Sequence, residues 1–380
     1  MARARATVAT LTDGTDRTAD EVIALWNQCD VAVANASTHA ELFAAVHPEE
    51  RVRERAEVAT QEVAAFLTER GQDRALYEVV AAVDTTGLDA QATRLVEKVL
   101  RDFQRSGVDR DDATRARLTE IAERMVVVGQ EFSRTIREDV RSIRVTAEQL
   151  AGLPQDWIEA HPADEDGLVT VTTDYPDLIP YLSFAEDRGC RIALATANGQ
   201  RGWPANDAVL AELLQLRHEQ AVLLGHDGWP DFDAEVKMIG TGAAIGEFID
   251  RVADLASASA ERDLATLLAR AQADDPAITA ITSGDTAHYT ELIRREQFDV
   301  DAQQVRTYFD FTRVRDGLLT VTGRLFDVSY EQVDAPAWHP DVTSYDVVRD
   351  GVRLGRIHLD LHPRDGKYKH AAQFDLVTGV

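Results

Sequence analysis

Cysteine is scarce in this chain of 380 residues, which has only Cys29 and Cys190. The two residues form no CxxC pair and lack the spacing typical of a metal site, so neither a disulfide framework nor a structural zinc finger is expected. Apolar residues stand close to each cysteine in the sequence. We therefore expect two buried, free thiols in a reducing cytoplasm.

Positive charge is also scarce, with 40 Lys and Arg against 66 Asp and Glu and a net charge of -26. Such a chain repels phosphate backbones and anionic membrane surfaces, so neither nucleic acid nor a membrane is expected as a partner. No apolar run approaches the ~20 residues of a membrane-spanning helix. The first 18 residues lack the apolar core of a secretory signal, which again predicts a cytoplasmic protein.

Local catalytic and phosphate-binding motifs are missing as well. The chain contains no GxxxxGK[ST], GxGxxG or GxSxG sequence. The nearest approach to the zinc motif HExxH is His218-Glu219, where Val222 stands in the place of the second histidine. His226 lies eight residues further on, past the glycine that ends the predicted helix. Residue spacing alone therefore indicates a soluble, mostly helical protein without assigning it a function.

Apolar residues recur every three or four positions through most of the chain, which predicts helices. Thr18 and Glu21 form a capping box ahead of the first of them, which contains Trp26 and Cys29. Thr146 and Gln149 form another, before a short helix. The further predicted helices span 49–70, 74–83, 90–105, 114–144, 177–188, 207–224, 242–270, 286–295 and 310–325.

A change of composition near the middle of the chain suggests a division. Residues 161–167 form a polar, acidic loop, 168–172 read as a strand, and Pro176 and Pro180 interrupt the segment after that strand. We therefore divide the chain into residues 1–155, an N-terminal helical region, and residues 156–380, a helical region with a small β meander.

The predicted meander lies near the C-terminus. Asp350-Gly351 between the β-rich runs 344–348 and 354–361 is a strong signal for a type I′ hairpin turn. Gly366 is expected to start a third extended run that includes residues 374–377. That run would stop at Val380 as an exposed edge strand, so the chain looks as if it ends inside a structure.

Alternation along the second hairpin strand places His358, Asp360 and His362 on one face, with His370 near in sequence. Three such groups could bind zinc. The alternative is a solvated or partner-facing strand surface, which the pattern favours because nothing in it makes the side chains converge.

A further pattern comes from a set of segments taken in chain order: 129–134, 150–154, 172–177, 216–217, 221–225, 237–238, 338–342 and 360–368. Together they resemble the M3 family of zinc oligopeptidases, the group of thimet oligopeptidase, oligopeptidase A and dipeptidyl carboxypeptidase. Ser283-Gly284-Asp285 departs from the family pattern, which commonly has Trp before the Asp.

The resemblance implies a mainly α, two-lobed, neurolysin-like oligopeptidase body around a deep channel that admits short peptides. It also implies zinc-assisted amide hydrolysis, with the metal held by the two histidines of an HExxH helix and a downstream glutamate. No residue of this chain matches a zinc ligand or the catalytic glutamate. We therefore assign no catalytic, no cofactor-binding and no metal-binding residue.

Our leading hypothesis is an M3 oligopeptidase truncated before its zinc-binding helix and inactive alone. Zinc is expected in the complete enzyme, and no specific zinc binding is expected on this chain. One alternative is half of a split peptidase, completed by a separate chain that carries HExxH. The other is a non-catalytic peptide-binding scaffold, which should bury its apolar surface where a truncated half would expose it.

Overall fold

The computed structural model describes residues 1–368 and 370–378, and this part of the chain is mainly helical, which confirms the predicted fold class. The backbone divides into two compact units. The first comprises Met1–Arg134, Ala205–Phe248 and Arg364–Val380, and the second comprises Thr135–Pro204 and Ile249–Pro363. The predicted division at residue 155 follows chain order and stays a prediction.

The helices confirm most of the periodic pattern. The predicted spans 49–70, 74–83 and 90–105 agree with the structure within two residues at each end. In chain order the helices are α1 (Ala2–Leu11), α2 (Ala19–Val46), α3 (Glu50–Gly71), α4 (Arg74–Ala81), α5 (Ala90–Arg105), α6 (Asp112–Glu138), α7 (Gln155–Ala160), α8 (Tyr175–Phe184), α9 (Arg188–Gly199), α10 (Ala205–Leu223), α11 (Trp229–Ala234), α12 (Gly242–Asp274), α13 (Thr286–Phe298), α14 (Ala302–Arg306) and α15 (Phe311–Phe326).

Two small antiparallel sheets accompany the helices. The first pairs β1 (Ser142–Val145) with β2 (Val169–Thr172). The second has the order β3 (Ser329–Val333), β4 (Thr343–Arg349) and β5 (Val352–Leu359).

Aromatic and aliphatic side chains form the cores of both units. In the first unit, Trp26 of α2 meets Phe103 of α5 edge-on, with ring centroids 5.8 Å apart and the buried Leu76 in the same cluster. In the second, Val171 of β2 and Tyr181 of α8 are fully buried in one cluster. The apolar face of each element thus determines what it packs against.

The capping box at Thr18 forms as the sequence predicts. Its hydroxyl accepts a hydrogen bond from the backbone N–H of Glu21 at 3.3 Å, and the Glu21 carboxylate accepts one from the Thr18 N–H at 2.8 Å. Both bonds satisfy N–H groups that the first turn of α2 would otherwise leave without partners.

The substitution Thr18→Ala is expected to lower the free energy of unfolding by about 1 kcal/mol, because it removes the acceptor for one N–H of the first turn. Urea unfolding followed by circular dichroism measures the change. Thr18→Ser keeps the hydroxyl and is expected to lose much less. Equal losses in the two variants would show that the cap does not contribute.

The long helix predicted over 114–144 is wrong at its C-terminal end. α6 ends at Glu138, and Ser142–Val145 form β1 instead. The backbone N–H of Thr173 donates to the Arg141 carbonyl at 2.8 Å, and Arg141 N–H donates to the Thr173 hydroxyl at 3.0 Å. Pairing with a buried strand distant in sequence therefore overrides the local helical periodicity.

The Asp350-Gly351 turn is confirmed, with φ of 53° and 73° at the two central residues. The third strand of the meander was predicted in the wrong place. It is β3, which precedes the hairpin, whereas residues 374–377 form no strand. There the Leu376 carbonyl accepts from the Thr38 hydroxyl at 3.2 Å, so α2 side chains bind a segment expected in a sheet. The expected chain end at Val380 lies outside the described residues.

Part of the predicted apolar surface remains in solvent. Residues 246–266 of α12 are all exposed, including Ile249, Val252 and Leu255 of its expected apolar face. Across the described part of the chain, no helix combines the length and the apolar character needed to cross a membrane.

Candidate functional site

The β3–β4–β5 sheet contains His358, one of the histidines that the sequence marks as candidates. His358 on β5 lies opposite the buried Ser344 on β4, and a hydrogen bond of 2.8 Å joins the Ser344 hydroxyl to His358 Nδ1. Partial burial, and secondly the nearby Arg356 guanidinium, lower the pKa of His358. The imidazole is therefore neutral at pH 7 and fixed by a neighbouring strand.

Trp338, in the loop before β4, completes this face. Its indole Nε1 donates to Asp360 Oδ2 at 2.8 Å, and its ring lies 5.7 Å from the His358 ring between centroids. The carboxylate of Asp360 is thus held by an indole N–H at the end of β5. This charge-assisted bond fixes the orientation of both side chains.

A cross-strand ion pair lies next to these residues. Arg356 donates to both carboxylate oxygens of Asp346, at 2.6 and 3.1 Å, from directly opposite positions on β5 and β4. The hydrogen bond from Arg356 lowers the pKa of Asp346. The pair supports the strand register and keeps the Asp346 carboxylate ionised within a pair of opposite charges.

The three candidates do not come together as a metal site. His358 and Asp360 have different hydrogen-bond partners, and His362 lies beyond the end of β5 with its ring 5.0 Å from that of Phe311. His370 belongs to the first unit, whereas the other three residues belong to the second. The structure therefore agrees better with a hydrogen-bonded strand surface than with convergent ligands.

The remaining sequence candidates are separated as well. His218 is exposed on α10, whereas His226 follows α10 and packs edge-on against Phe232, with ring centroids 5.4 Å apart. Cys29 is buried and Cys190 is half-buried, and both are free. Burial raises the pKa of both thiols, so neither is an activated nucleophile.

A cavity of about 370 Å³ opens in the first unit between α3, α5, α6 and α10. Several of its polar side chains already have internal partners, whereas the buried Gln220 Oε1 has none among the described residues. Arg105 donates to the Phe232 carbonyl at 2.8 Å, and Gln72 Oε1 accepts from the Thr119 hydroxyl at 3.0 Å. These two bonds join α5 to α11 and the end of α3 to α6. We assign no ligand to the cavity.

A buried charged cluster in the second unit is not visible in the sequence. Arg188 donates to both oxygens of the fully buried Asp285, at 2.8 Å each. Arg191, also fully buried, donates to the backbone carbonyls of Ala185 and Gly284. No local signal could have revealed this cluster, because α9 and Asp285 are almost 100 residues apart.

The position before Asp285, where the sequence departs from the M3 pattern, is tightly packed. A Cβ atom on Gly284 would lie 2.8 Å from the backbone of Ile192. Glycine thus allows the loop before α13 to contact α9 directly.

Comparison with known proteins decides the family. The sequence model of peptidase family M3 matches residues 182–380, which is more than half of the chain. The chain belongs to peptidase family M3. The matched region includes α9, the buried Asp285 and the whole β3–β4–β5 sheet.

Relatives of this M3 chain carry oligopeptidase and carboxypeptidase names. The thimet-like oligopeptidase of Dictyostelium discoideum is 29% identical over 306 residues, covering 77% of this chain and 46% of that protein. Oligopeptidase A of Haemophilus influenzae is 27% identical over 323 residues, covering 80% and 47%. Dipeptidyl carboxypeptidase of Escherichia coli is 29% identical over 304 residues, covering 75% and 44%. The M3 chain spans about half the length of these relatives.

The segments that carry the M3 resemblance have structural roles here. In 150–154, Gly152 has φ +89°, and a Cβ there would lie 2.2 Å from the Phe184 carbonyl oxygen. In 172–177, Asp177 accepts from the Thr172 N–H at 2.9 Å and from His161 Nε2 at 2.9 Å. Gly152 thus maintains a turn, and Asp177 holds the start of α8 against the end of β2.

The residues of this M3 chain do not fit the zinc ion that the family resemblance implies. The sequence has no HExxH. Within residues 1–368 and 370–378, no three His, Cys, Asp or Glu side chains are grouped so as to hold a metal ion. We therefore assign no step of peptide hydrolysis to residues of this chain.

Proposed function

We propose that this M3 chain is part of a zinc-dependent oligopeptidase that cleaves short peptides in the cytoplasm. The match to family M3 carries the proposal, and the oligopeptidase names of its relatives support it. The free cysteines agree with a reducing compartment. Zinc and the catalytic residues would come from an HExxH segment outside residues 1–380.

In this proposal the chain supplies the helical body and part of the channel wall, and the HExxH segment supplies the catalytic residues. The face built from Ser344, His358, Trp338 and Asp360 would help to orient residues near the reacting peptide. Its side chains are already fixed by hydrogen bonds, as a preorganised site requires. Reconstitution with the HExxH segment on a separate polypeptide tests the split form of this proposal.

A stand-alone peptide-binding scaffold is the second candidate. The exposed apolar residues of α12 and α15 favour an incomplete catalytic body over such a scaffold, since folded monomers rarely expose large contiguous apolar patches. A scaffold would also have to bind short peptides without any added segment.

The purified chain alone is expected to contain far less than one zinc ion per molecule and to cleave no internally quenched peptide. Elemental analysis and fluorescence assays, with and without a chelator, measure both properties. Co-expression with an HExxH-containing segment of an M3 relative is expected to restore chelator-sensitive cleavage. Stoichiometric zinc and cleavage by the chain alone would overturn the proposal.

A further inference from the structure

An exposed apolar seam runs along α15. Large apolar side chains occur at alternating spacings of three and four residues, and each is between 45% and 72% exposed. This spacing is the heptad repeat with which one helix packs against another. The seam consists of Phe311, Val314, Leu318, Val321 and Leu325.

Apart from Phe311, whose ring lies 5.0 Å from that of His362, the seam is not the side on which α15 packs within the second unit. Gly323 lies against β3, where a Cβ would be 2.8 Å from the Val328 carbonyl oxygen and 3.8 Å from the Tyr330 ring. Leu319 and Thr322 are half-buried on that side, whereas no residue of α15 is fully buried. Helices in proteins gain most of their stability from packing an apolar face, so the seam is suited to a second helix.

The flanks of the seam are cationic in a strongly anionic chain. α15 carries three arginines and one aspartate, although the whole chain has a net charge of -26. Arg315 and Arg324 stand at the heptad positions beside the seam, where charges select a partner. Arg315 pairs with Asp316 at 3.0 Å, so Arg324 contributes most to the cationic flank. A partner helix with acidic flanks would therefore be favoured over one with basic flanks.

We propose that the α15 seam docks an amphipathic, acid-flanked helix from the part of an M3 protein that has no counterpart in this chain. Two facts point to that occupant: the seam lies in the matched M3 region, and relatives are about twice as long as the chain. The proposal rests on the proposed function, because it takes the chain to be one part of a larger M3 body.

A second copy of this chain is a poorer occupant. In a parallel or antiparallel pair of α15 helices, each flanking position of one helix would face an arginine or an uncharged residue of the other. No flanking arginine would face an acidic residue. Like charges at these positions oppose pairing. Dimerisation is therefore an outcome that the test must be able to detect.

Fluorescence anisotropy with two labelled 28-residue peptides tests the seam on the full chain. Both peptides carry leucine at heptad positions a and d, and they carry either glutamate or lysine at e and g. The wild-type chain is expected to bind the acidic peptide at least tenfold more tightly than the basic one. The double variant Leu318→Glu/Val321→Glu is expected to lose at least tenfold of that affinity.

The control variant Thr320→Glu adds one negative charge to α15 away from the seam, half of what the double variant adds, and is expected to bind like the wild type. Arg324→Glu is expected to reduce the preference for the acidic peptide at least threefold. Circular dichroism checks that all variants fold.

Equal binding of the two peptides, binding that ignores the seam variants, or no binding of either peptide would overturn the proposal. A dimer of the chain that Leu318→Glu/Val321→Glu abolishes and Thr320→Glu retains would overturn it in favour of a second copy. These readouts involve neither zinc nor cleavage. Failure of the docking proposal is therefore distinguishable from failure of the proposed function.

Discussion

Replacing Asp285 with alanine is expected to lower the free energy of unfolding by about 3–5 kcal/mol, the cost typical of breaking a buried ion pair by removing one partner. Asp285 is fully buried and accepts two hydrogen bonds from Arg188, at 2.8 Å each. Its carboxylate also accepts from the backbone N–H and the hydroxyl of Thr282, at 3.0 and 2.8 Å.

The expected loss is large because a buried charge would remain. Arg191 is fully buried with its guanidinium 3.8 Å from the Asp285 carboxylate. Without that carboxylate, both arginines would lose their counter-ion, and the Thr282 donors would lose their acceptor. The urea midpoint, followed by tryptophan fluorescence, measures the effect.

Two further variants make this prediction specific. Asp156→Ala breaks a similar two-bonded pair with Arg306 at a site where both side chains are exposed, and only a small change is expected there. Asp285→Asn keeps the shape and some acceptors but removes the charge, so an intermediate loss is expected. Equal effects at Asp285 and Asp156 would contradict the role assigned to burial.

Acidification from pH 6.5 to pH 4 is expected to remove up to about 3 kcal/mol of stability through His288 alone. Burial, and secondly the positive charge of Arg191, lower the pKa of His288 to about 4. Its Nδ1 has no hydrogen-bond partner among the described residues. Asp274 and Arg270 also act on this imidazole, in opposite directions.

His288 binds a proton more weakly in the folded chain than in the unfolded chain. Between pH 6.5 and 4 the unfolded chain binds a proton at residue 288 that the folded chain does not, so stability rises with pH in this window. Above pH 6.5 the imidazole of His288 is mainly neutral in both states, so almost no stability is lost through it there. Asp285 also makes the chain less stable on acidification, at lower pH. Burial raises the pKa of its carboxyl, but the hydrogen bonds from Arg188 and Thr282 outweigh burial, so the pKa is lowered overall.

His288→Phe separates the two contributions, because phenylalanine fills similar space and cannot be protonated. Stability of the variant, measured by urea unfolding at several pH values, is expected to change much less than that of the wild type between pH 6.5 and 4. If the free energy of unfolding of the variant depended on pH as steeply as that of the wild type, His288 would be ruled out as the source of this dependence.

Much of the helical fold could be predicted from the sequence because its signals are local. The Thr18–Glu21 box and the periodic apolar residues of α3, α4 and α5 act within a few positions. The Asp350-Gly351 turn is equally local, since both central residues need positive φ. The prediction failed at Ser142–Val145, where the partner strand lies far away in sequence.

The candidate site could be predicted only in part. Alternation correctly placed His358 on a strand surface, but Asp360 lies just after the end of β5. Spacing could not show that Ser344 and Trp338 hold these two side chains. The β3 strand was missed because the loop 334–342, which is too long for a tight hairpin turn, joins it to β4 and leaves no local turn signal. Metal geometry likewise depends on distances between side chains that periodicity does not determine.

The sequence by itself determined the helical class, the main turn of the meander and the resemblance to family M3. Only the tertiary structure decided that Asp285 closes a buried ion pair, that β1 replaces a helix end, and that the α15 seam stays in solvent. The physical reason is the range of the interactions. Caps, turns and periodicity act between neighbours in the chain, whereas burial and charge pairing depend on which distant segments meet.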